Sequence, residues 1–237
     1  MTVKNTVKNT FFMSHLFLPL IIYIVAIFMI YQLQWDYSLS LYFYDMQNGA
    51  WLLKDNFYTE VIIHHYGKYL AIAGYLLLTF LYIISFFKRC PIRLAQAYHK
   101  GLEYLVISTI VATLSITLLK SLTQIDCPWS ISGLGGDIAY YDWLNRLFVA
   151  DNGGKCFPSG HASAAYAFFS LYFFAYHYFP KQAWKVLLVV ASAGLIFGFS
   201  QQLRGAHFIS HDVTTVFICW MINLFFYRYF LAKEPTI

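Results

Sequence analysis

Two histidines and one lysine of this chain stand at the ends of apolar segments, where together they could act on a phosphate group. His161 ends a Pro-Ser-Gly-His run that begins at Pro158, and His207 lies just before another apolar segment. Lys120 closes an earlier one. A neutral imidazole can attack phosphorus, a protonated one can donate a proton to the leaving oxygen, and a lysine balances phosphate charge. On one side of a membrane, these ends would form a pocket for phosphoryl transfer.

The composition indicates an integral membrane protein. Hydrophobic residues make up 59% of the chain and charged residues 11%, against about 25% charged in soluble domains. Several apolar runs reach the ~20 residues that cross a bilayer. The first of them lacks a small-residue cleavage site, so we expect it to be retained as an anchor. The net charge of +5 reflects membrane topology in this interpretation, and no nucleic-acid partner is expected.

We predict an all-α fold, a bundle of six transmembrane helices that forms one domain over residues 1–237. The predicted spans are 14–32, 67–87, 101–121, 161–179, 183–203 and 211–231. The segment 34–68 mixes apolar, acidic and aromatic residues, which predicts one or two short helices lying on the outer membrane surface. The long loop 121–158 joins two parts of the candidate site, which favours a functional loop.

The distribution of basic residues predicts the orientation. Ten of the 16 basic residues fall at one set of helix ends: Lys4, Lys8, Lys88, Arg89, Arg93, Lys100, Lys181, Lys185, Arg228 and Lys233. The other six lie on the opposite side, together with nine of the 11 acidic residues. By the positive-inside rule, both termini are cytoplasmic. Lys120, His161 and His207 then all lie at the outer surface.

Further residues at these ends could bind phosphate. The backbone N–H groups of Ser159 and Gly160 stand at a predicted helix start, which favours anions, and glycine allows the backbone to approach an oxyanion closely. Arg204 supplies a fixed positive charge beside His207. We interpret the histidines outside these motifs as polar anchors at the membrane interface: His15, His64, His65, His99 and His177.

The order and spacing of these residues resemble the type 2 phosphatidic acid phosphatase superfamily of membrane lipid phosphatases. That family's pattern is Lys, six residues, Arg-Pro; then Pro-Ser-Gly-His; then Ser-Arg, five residues, His, three residues, Asp. Here Lys120 is followed by six residues and Cys-Pro, and the second part is complete. The third reads Ser-Gln, five residues, His207, three residues, His211. The core motifs therefore occupy residues 120–212.

The resemblance implies roles for individual residues. His207 would be the nucleophile, His161 the general acid, and Lys120 with the backbone of Ser159 and Gly160 would hold phosphate; no metal or other cofactor is implied. The expected activity is hydrolysis of a lipid phosphomonoester or diphosphate through a phosphohistidine, at the outer face of a bacterial inner membrane. Candidate substrates are phosphatidylglycerol phosphate, undecaprenyl diphosphate, phosphatidic acid and the phosphates of lipid A. The oligomeric state is left open.

Three positions depart from the family pattern. Cys127 and Gln201 stand where the family has arginine, and His211 stands where it has aspartate. The candidates for the missing positive charge are Arg204, Lys155 and Lys68. The candidates for orienting the nucleophile are Asp212, His211 itself, Asp126 and Asp151. Cys127 and Cys156 both fall in the predicted outer loop, where an oxidising environment would allow a disulfide; the alternative is two unpaired cysteines.

Two other functions remain open at this stage. A phosphohistidine can pass its phosphoryl group to an alcohol instead of water, so transfer from one lipid to another, for example to lipid A, is the closest alternative. The missing arginines and aspartate also allow a non-catalytic lipid-binding protein on the same scaffold. A transporter is disfavoured because no chain of charged residues occurs at mid-depth of the predicted spans.

Overall fold

A computed structural model describes residues 10–87, 93–142, 145 and 153–234, and these residues form an all-helical protein without a named β-strand. Numbered in chain order within that part of the chain, the α-helices are α1 (Leu18–Gln32), α2 (Trp35–Met46), α3 (Gly67–Ile84), α4 (Arg93–Ala97), α5 (His99–Thr123), α6 (Gly160–Tyr166), α7 (Phe169–Tyr178), α8 (Ala183–Leu203) and α9 (Ile209–Phe230). Two π-helical segments, Met13–Phe17 and Phe57–Tyr66, run directly into α1 and α3.

Within the described residues, five helical stretches are long and apolar enough to cross a membrane. They are Thr10–Gln32, Phe57–Ile84, His99–Ser130, Ala183–Leu203 and Ile209–Phe230. Each corresponds to one of the predicted spans. Most ends differ by a few residues, but Phe57–Ile84 begins about ten residues earlier and His99–Ser130 ends about nine residues later than predicted. Their length follows from the continuous apolar runs, since about 20 residues at 1.5 Å rise each match the hydrocarbon thickness.

The predicted span 161–179 is not one continuous helix. It is divided into α6 and α7, because the Phe168 N–H bonds to the Ala165 carbonyl in a tighter turn at 2.9 Å. The side-chain amide of Asn223, from α9, donates to the Ala167 carbonyl at 3.2 Å. A carbonyl freed by a helix break inside a bundle needs such a donor, so α9 stabilises the break.

The segment 34–68 also differs from the prediction. Its first part forms the short helix α2, but residues 57–66 continue into α3 instead of lying apart on the surface. The acidic Glu60 suggested a surface position; in the structure its carboxylate is paired with Arg204. Charge pairing therefore allows an acidic residue in the extension of a long helix.

Polar contacts inside the bundle fix the packing of the long helices. The Tyr104 hydroxyl of α5 donates to the Asn223 carbonyl of α9 at 3.2 Å, and Thr109 Oγ1 lies 2.8 Å from Ser170 Oγ of α7. Helices in a membrane associate through close packing and hydrogen bonds, because lipid provides little hydrophobic drive between them. These contacts join α5, α7 and α9 and so position the ends that carry the candidate site.

Candidate active site

A cavity of about 710 Å³ lies at one end of the bundle, between α3, α5, α6 and the loops beside them. Basic and imidazole side chains form its polar end: His64, Lys68, Lys120, Lys155, His161, Arg204 and His207. An apolar arm continues between α3 and α5, with Ile72, Tyr75 and Ile110 in its walls. From Lys120 to Ile110 the cavity follows α5 for ten residues, or about 15 Å. The cavity thus joins a basic end to an apolar one.

His207 is buried on the segment between α8 and α9, at the polar end of the cavity. Its Nδ1 lies 2.7 Å from the Cys156 carbonyl oxygen. A carbonyl only accepts, so Nδ1 carries the proton and Nε2 carries the lone pair. Burial, reinforced by His211 and Lys120, holds the pKa of His207 well below its usual value. The imidazole is therefore neutral, which is the form that can act as a nucleophile.

Gly205 allows the turn that places His207. Its φ of +70° lies in the left-handed region, which strains residues with a Cβ. A Cβ at this position would also stand 2.5 Å from the ring of Trp51. The Trp51 indole N–H in turn donates to the Leu134 carbonyl of the long loop at 2.8 Å. The turn before His207 is thus packed against the segment that follows α2.

His161 is the second residue of α6 and lines the same cavity as His207. Its Nε2 lies 3.2 Å from the Ile63 carbonyl, so Nε2–H donates and Nδ1 carries the lone pair in the neutral form. Its ring contacts those of His64 and Phe197, each with centroids 4.8 Å away. A protonated His161 has a second N–H, at Nδ1, that could serve as the acid.

Lys120 brings a positive charge to the cavity at the C-terminal end of α5. Its Nζ would lie 3.2 Å from a Cβ placed on Gly160, so the absence of a side chain there leaves room for the ammonium group. Among the residues that the structure describes, no acidic side chain forms a salt bridge with Lys120. Its charge is therefore available to an anionic ligand.

Arg204 also reaches the cavity, but its guanidinium already has partners. Nε donates to the Lys54 carbonyl at 2.9 Å, one terminal nitrogen donates to Gln201 Oε1 at 3.2 Å, and the other pairs with the Glu60 carboxylate. Burial lowers the pKa of Arg204, and the charge of Asp55 opposes this shift. Since Glu60 balances much of its charge, Arg204 compensates only partly for a missing family arginine.

Gln201, which replaces a family arginine, contributes a donor that sequence reasoning missed. Its side chain is buried and lines the cavity, and Nε2 has no hydrogen-bond partner within the described protein. Its Oε1 is held by Arg204, which fixes the amide so that Nε2 is the free end. A buried unpaired N–H costs about 1–3 kcal/mol. A phosphate oxygen in the cavity could satisfy it.

The residues considered for orienting His207 lie in different places. His211 Nδ1 is 3.5 Å from His207 Nδ1, longer than the bond to the Cys156 carbonyl. Asp212 accepts from Gln202 Nε2 at 2.6 Å and packs against α8, so it does not reach His207. The Asp126 carboxylate packs near the backbone of Gly154, and Asp151 lies outside the described residues. The shortest contact on the imidazole is therefore a backbone carbonyl.

The Cys156 carbonyl is held by the disulfide that the sequence allowed. Cys127 and Cys156 are bonded, with their Cα atoms 5.3 Å apart, and the Cys156 N–H donates to the Ile125 carbonyl at 2.9 Å. These contacts tie the segment before α6 to the segment after α5. The disulfide thus fixes the backbone carbonyl that accepts the hydrogen bond from His207.

The backbone around Ser159 differs from the expectation. The Ser159 N–H donates to the His211 carbonyl at 3.3 Å, so this group is not free to bind phosphate. The Ser159 carbonyl accepts from Thr215 Oγ1 at 3.2 Å. Ser159 therefore joins the start of α6 to α9, and Gly160 contributes through the space that it leaves for Lys120.

Asp36, in α2, is a further residue that sequence reasoning missed. Its buried carboxylate accepts from the Ser210 N–H at 2.9 Å and from Ser210 Oγ at 2.6 Å. Burial raises the pKa of Asp36 to about 6, although the bonds to Ser210 oppose the shift. Asp36 thereby caps α9 just after His207. Asp36 and Ser210 are 174 positions apart, so no local pattern could indicate the contact.

A family model of the PAP2 superfamily matches residues 101–235, which include all three motifs and the helices that carry them. No curated protein and no solved structure matches the chain. The family match covers more than half of the chain, and it agrees with the arrangement of Lys120, His161 and His207 around one cavity. The chain therefore belongs to the PAP2 superfamily, the group that its motifs resemble.

Proposed function

We propose that this protein is an integral-membrane lipid phosphatase that hydrolyses a lipid phosphomonoester or diphosphate through a phosphohistidine at His207. The observation that carries the proposal is the single cavity that joins His207, His161 and Lys120 to an apolar arm about 15 Å long. The phosphate group binds at the basic end, and a hydrocarbon chain lies between α3 and α5. A water-soluble phosphate ester would leave the apolar arm unused.

In the first step, the lone pair on His207 Nε2 attacks phosphorus while the bond from phosphorus to the lipid oxygen breaks. The leaving oxygen takes a proton from protonated His161. Lys120 and the Gln201 amide offset the charge on the non-bridging oxygens. The Cys156 carbonyl, 2.7 Å from Nδ1, stabilises the imidazole as it becomes positively charged.

In the second step, water replaces the lipid alcohol. Neutral His161 accepts a proton from the water, whose oxygen attacks phosphorus as the bond to His207 breaks. Inorganic phosphate is released, and both histidines return to their initial states. A lipid alcohol in place of water would accept the phosphoryl group, so the same site supports lipid-to-lipid transfer as the alternative activity.

The orientation of the site is part of the proposal. The excess of lysine and arginine at the helix ends opposite the cavity supports cytoplasmic termini and a site that faces away from the cytoplasm. α6 and α7 together supply the sixth crossing in this topology. A bacterial inner membrane, with the site facing the periplasm, fits this arrangement and the disulfide beside the site.

His207→Ala tests the function. We expect the variant to lose phosphate release from lipid phosphates and to form no acid-labile phosphoenzyme, because alanine lacks the imidazole nitrogen that attacks phosphorus. His99→Ala is the matched control, since His99 is hydrogen-bonded to Ser85 Oγ and is not part of the cavity. Equal phosphate release by His207→Ala and wild type would remove His207 as the nucleophile.

The assay also separates hydrolysis from transfer. Purified protein in nanodiscs receives a radiolabelled lipid diphosphate, with or without lipid A as acceptor. Labelled inorganic phosphate in both samples supports hydrolysis, whereas label in lipid A supports transfer. No release from any of the four candidate substrate classes would favour the non-catalytic alternative.

A further inference from the structure

Three side chains with metal-binding atoms cluster at the edge of the cavity: Glu60, His64 and His65. His65 Nε2 lies 2.9 Å from Glu60 Oε1, and His64 Nδ1 lies 3.5 Å from Glu60 Oε2. One ligand atom from each side chain lies within 4.8 Å of the other two. In a tetrahedral zinc site with bonds of about 2.0–2.2 Å, ligand atoms are roughly 3.3 Å apart. Small side-chain rotations therefore suffice to close the cluster around an ion.

The π-helical segment Phe57–Tyr66 creates this cluster. In an α-helix, His65 would lie roughly 140° around the axis from Glu60, because each residue turns by about 100°. In a π-helix, hydrogen bonds run from residue i to i+5, so residues i+4 and i+5 lie on either side of residue i. His64 and His65 therefore both meet Glu60. π-Helical turns are rare and are frequently found at functional sites.

We propose that Glu60, His64 and His65 bind one divalent transition-metal ion, with Zn²⁺ as the best fit. Two imidazoles and one carboxylate form a ligand set typical of zinc sites that keep an open fourth position. Imidazole nitrogen also suits Cu²⁺ and Ni²⁺, whereas Mg²⁺ and Ca²⁺ prefer oxygen ligands. The partly exposed His65 gives an ion access from solvent, since 48% of its side chain is exposed.

An ion at this position would change the charge of the cavity wall. His64 lines the cavity, and its ring centroid lies 4.8 Å from that of His161. The ion would also compete for the Glu60 carboxylate that now pairs with Arg204. Arg204 keeps two other contacts, to Lys54 and Gln201, so its position is preserved while its charge becomes less balanced. Stronger binding of anions in the cavity follows; this effect rests on the proposed function, whereas the metal site itself does not.

The test measures zinc binding directly. Full-length protein without a histidine tag is purified in detergent, treated with a chelator and titrated with Zn²⁺ against a chromophoric competitor. We expect one equivalent to bind to the wild type. His65→Ala should weaken binding at least about tenfold, the lower range for changes that disturb a metal site. The exposed position of His65 means that the metal-free variant should keep the thermal stability of the wild type.

Two further variants make the result specific. His99→Ala removes an imidazole that is bonded to Ser85, away from the cluster, and should leave zinc affinity unchanged. His207→Ala should also retain the zinc, even though it loses phosphatase activity. Absence of stoichiometric zinc in the wild type would overturn the proposal. Unchanged zinc affinity in His65→Ala would also overturn it. Loss of zinc in His207→Ala alone would overturn it as well, since the ion would then be bound by the catalytic histidines.

Discussion

Breaking the Cys127–Cys156 disulfide should lower both stability and turnover, because it holds the carbonyl that orients His207. The bond links residues separated by 29 positions, and His207 Nδ1 lies 2.7 Å from the Cys156 carbonyl. The perturbation is the double variant Cys127→Ser/Cys156→Ser, or reduction of the wild-type protein. The backbone carbonyl is retained in both cases, so only its position can change.

The size of each effect can be estimated. Closing a loop of 29 residues is worth about 3.6 kcal/mol in the chain-entropy account of disulfides. This value is an upper limit here, since α5 and α6, which flank the loop, would stay within the membrane in the unfolded state and already restrict it. For catalysis, a displacement of about 1 Å in a positioned group costs roughly 10²-fold. We therefore expect a fall of that order in kcat/KM.

The assay combines thermal unfolding with phosphate release, before and after treatment with a reductant. The wild type should lose stability and activity on reduction. The double variant should begin at the reduced level and show no further response, which controls for effects of the reductant elsewhere. If reduction lowers stability but leaves kcat/KM unchanged, the covalent link does not position the carbonyl. The orientation of His207 would then need another explanation.

Three other predictions concern single contacts. Gly160→Ala should raise KM about tenfold with little change in stability, because the new Cβ crowds Lys120 Nζ; kinetics and thermal unfolding check it. Gln201→Glu should nearly abolish phosphate binding, since a carboxylate replaces the unpaired amide; inorganic phosphate inhibition measures this. Asp36, with a pKa raised to about 6, binds its proton more tightly in the folded state. The contribution of Asp36 to the free energy of unfolding should therefore fall by about 2 kcal/mol as pH rises from 4 to 6, and Asp36→Asn should remove that contribution.

The sequence was sufficient to predict the elements that carry the site. Continuous apolar runs predict five of the long helices, because burial in lipid depends on length and composition alone. The motif spacing places Lys120, His161 and His207 at helix ends, and the structure brings all three to one cavity. The predictions of the long helices succeed because they depend on local patterns.

Contacts between distant residues could not be predicted in the same way. The break between α6 and α7 depends on Asn223, which donates to a carbonyl 56 residues earlier. A hydropathy average over about 20 residues does not reveal such a break, because the residues on both sides of it are apolar. Glu60 can lie in the π-helical segment because Arg204, 144 residues away in the chain, pairs with its carboxylate. The sequence offers His211 and three acidic side chains as groups that could orient His207, whereas the acceptor is a backbone carbonyl. A carbonyl has no sequence signature, since every residue has one.

The three departures from the family pattern meet around His207, and each exchanges a charge for another kind of contact. At Cys127, a disulfide replaces an arginine and fixes the Cys156 carbonyl. At Gln201, a neutral amide replaces the other arginine, and Arg204 holds it in place. At His211, an imidazole replaces the carboxylate that would have accepted the proton of His207, and the carbonyl takes over that contact. The chain has lost the family's negative aspartate and its two positive arginines, so these changes in the charge around His207 partly cancel. His207 stays neutral, and the unpaired positive charge of the cavity comes mainly from lysine.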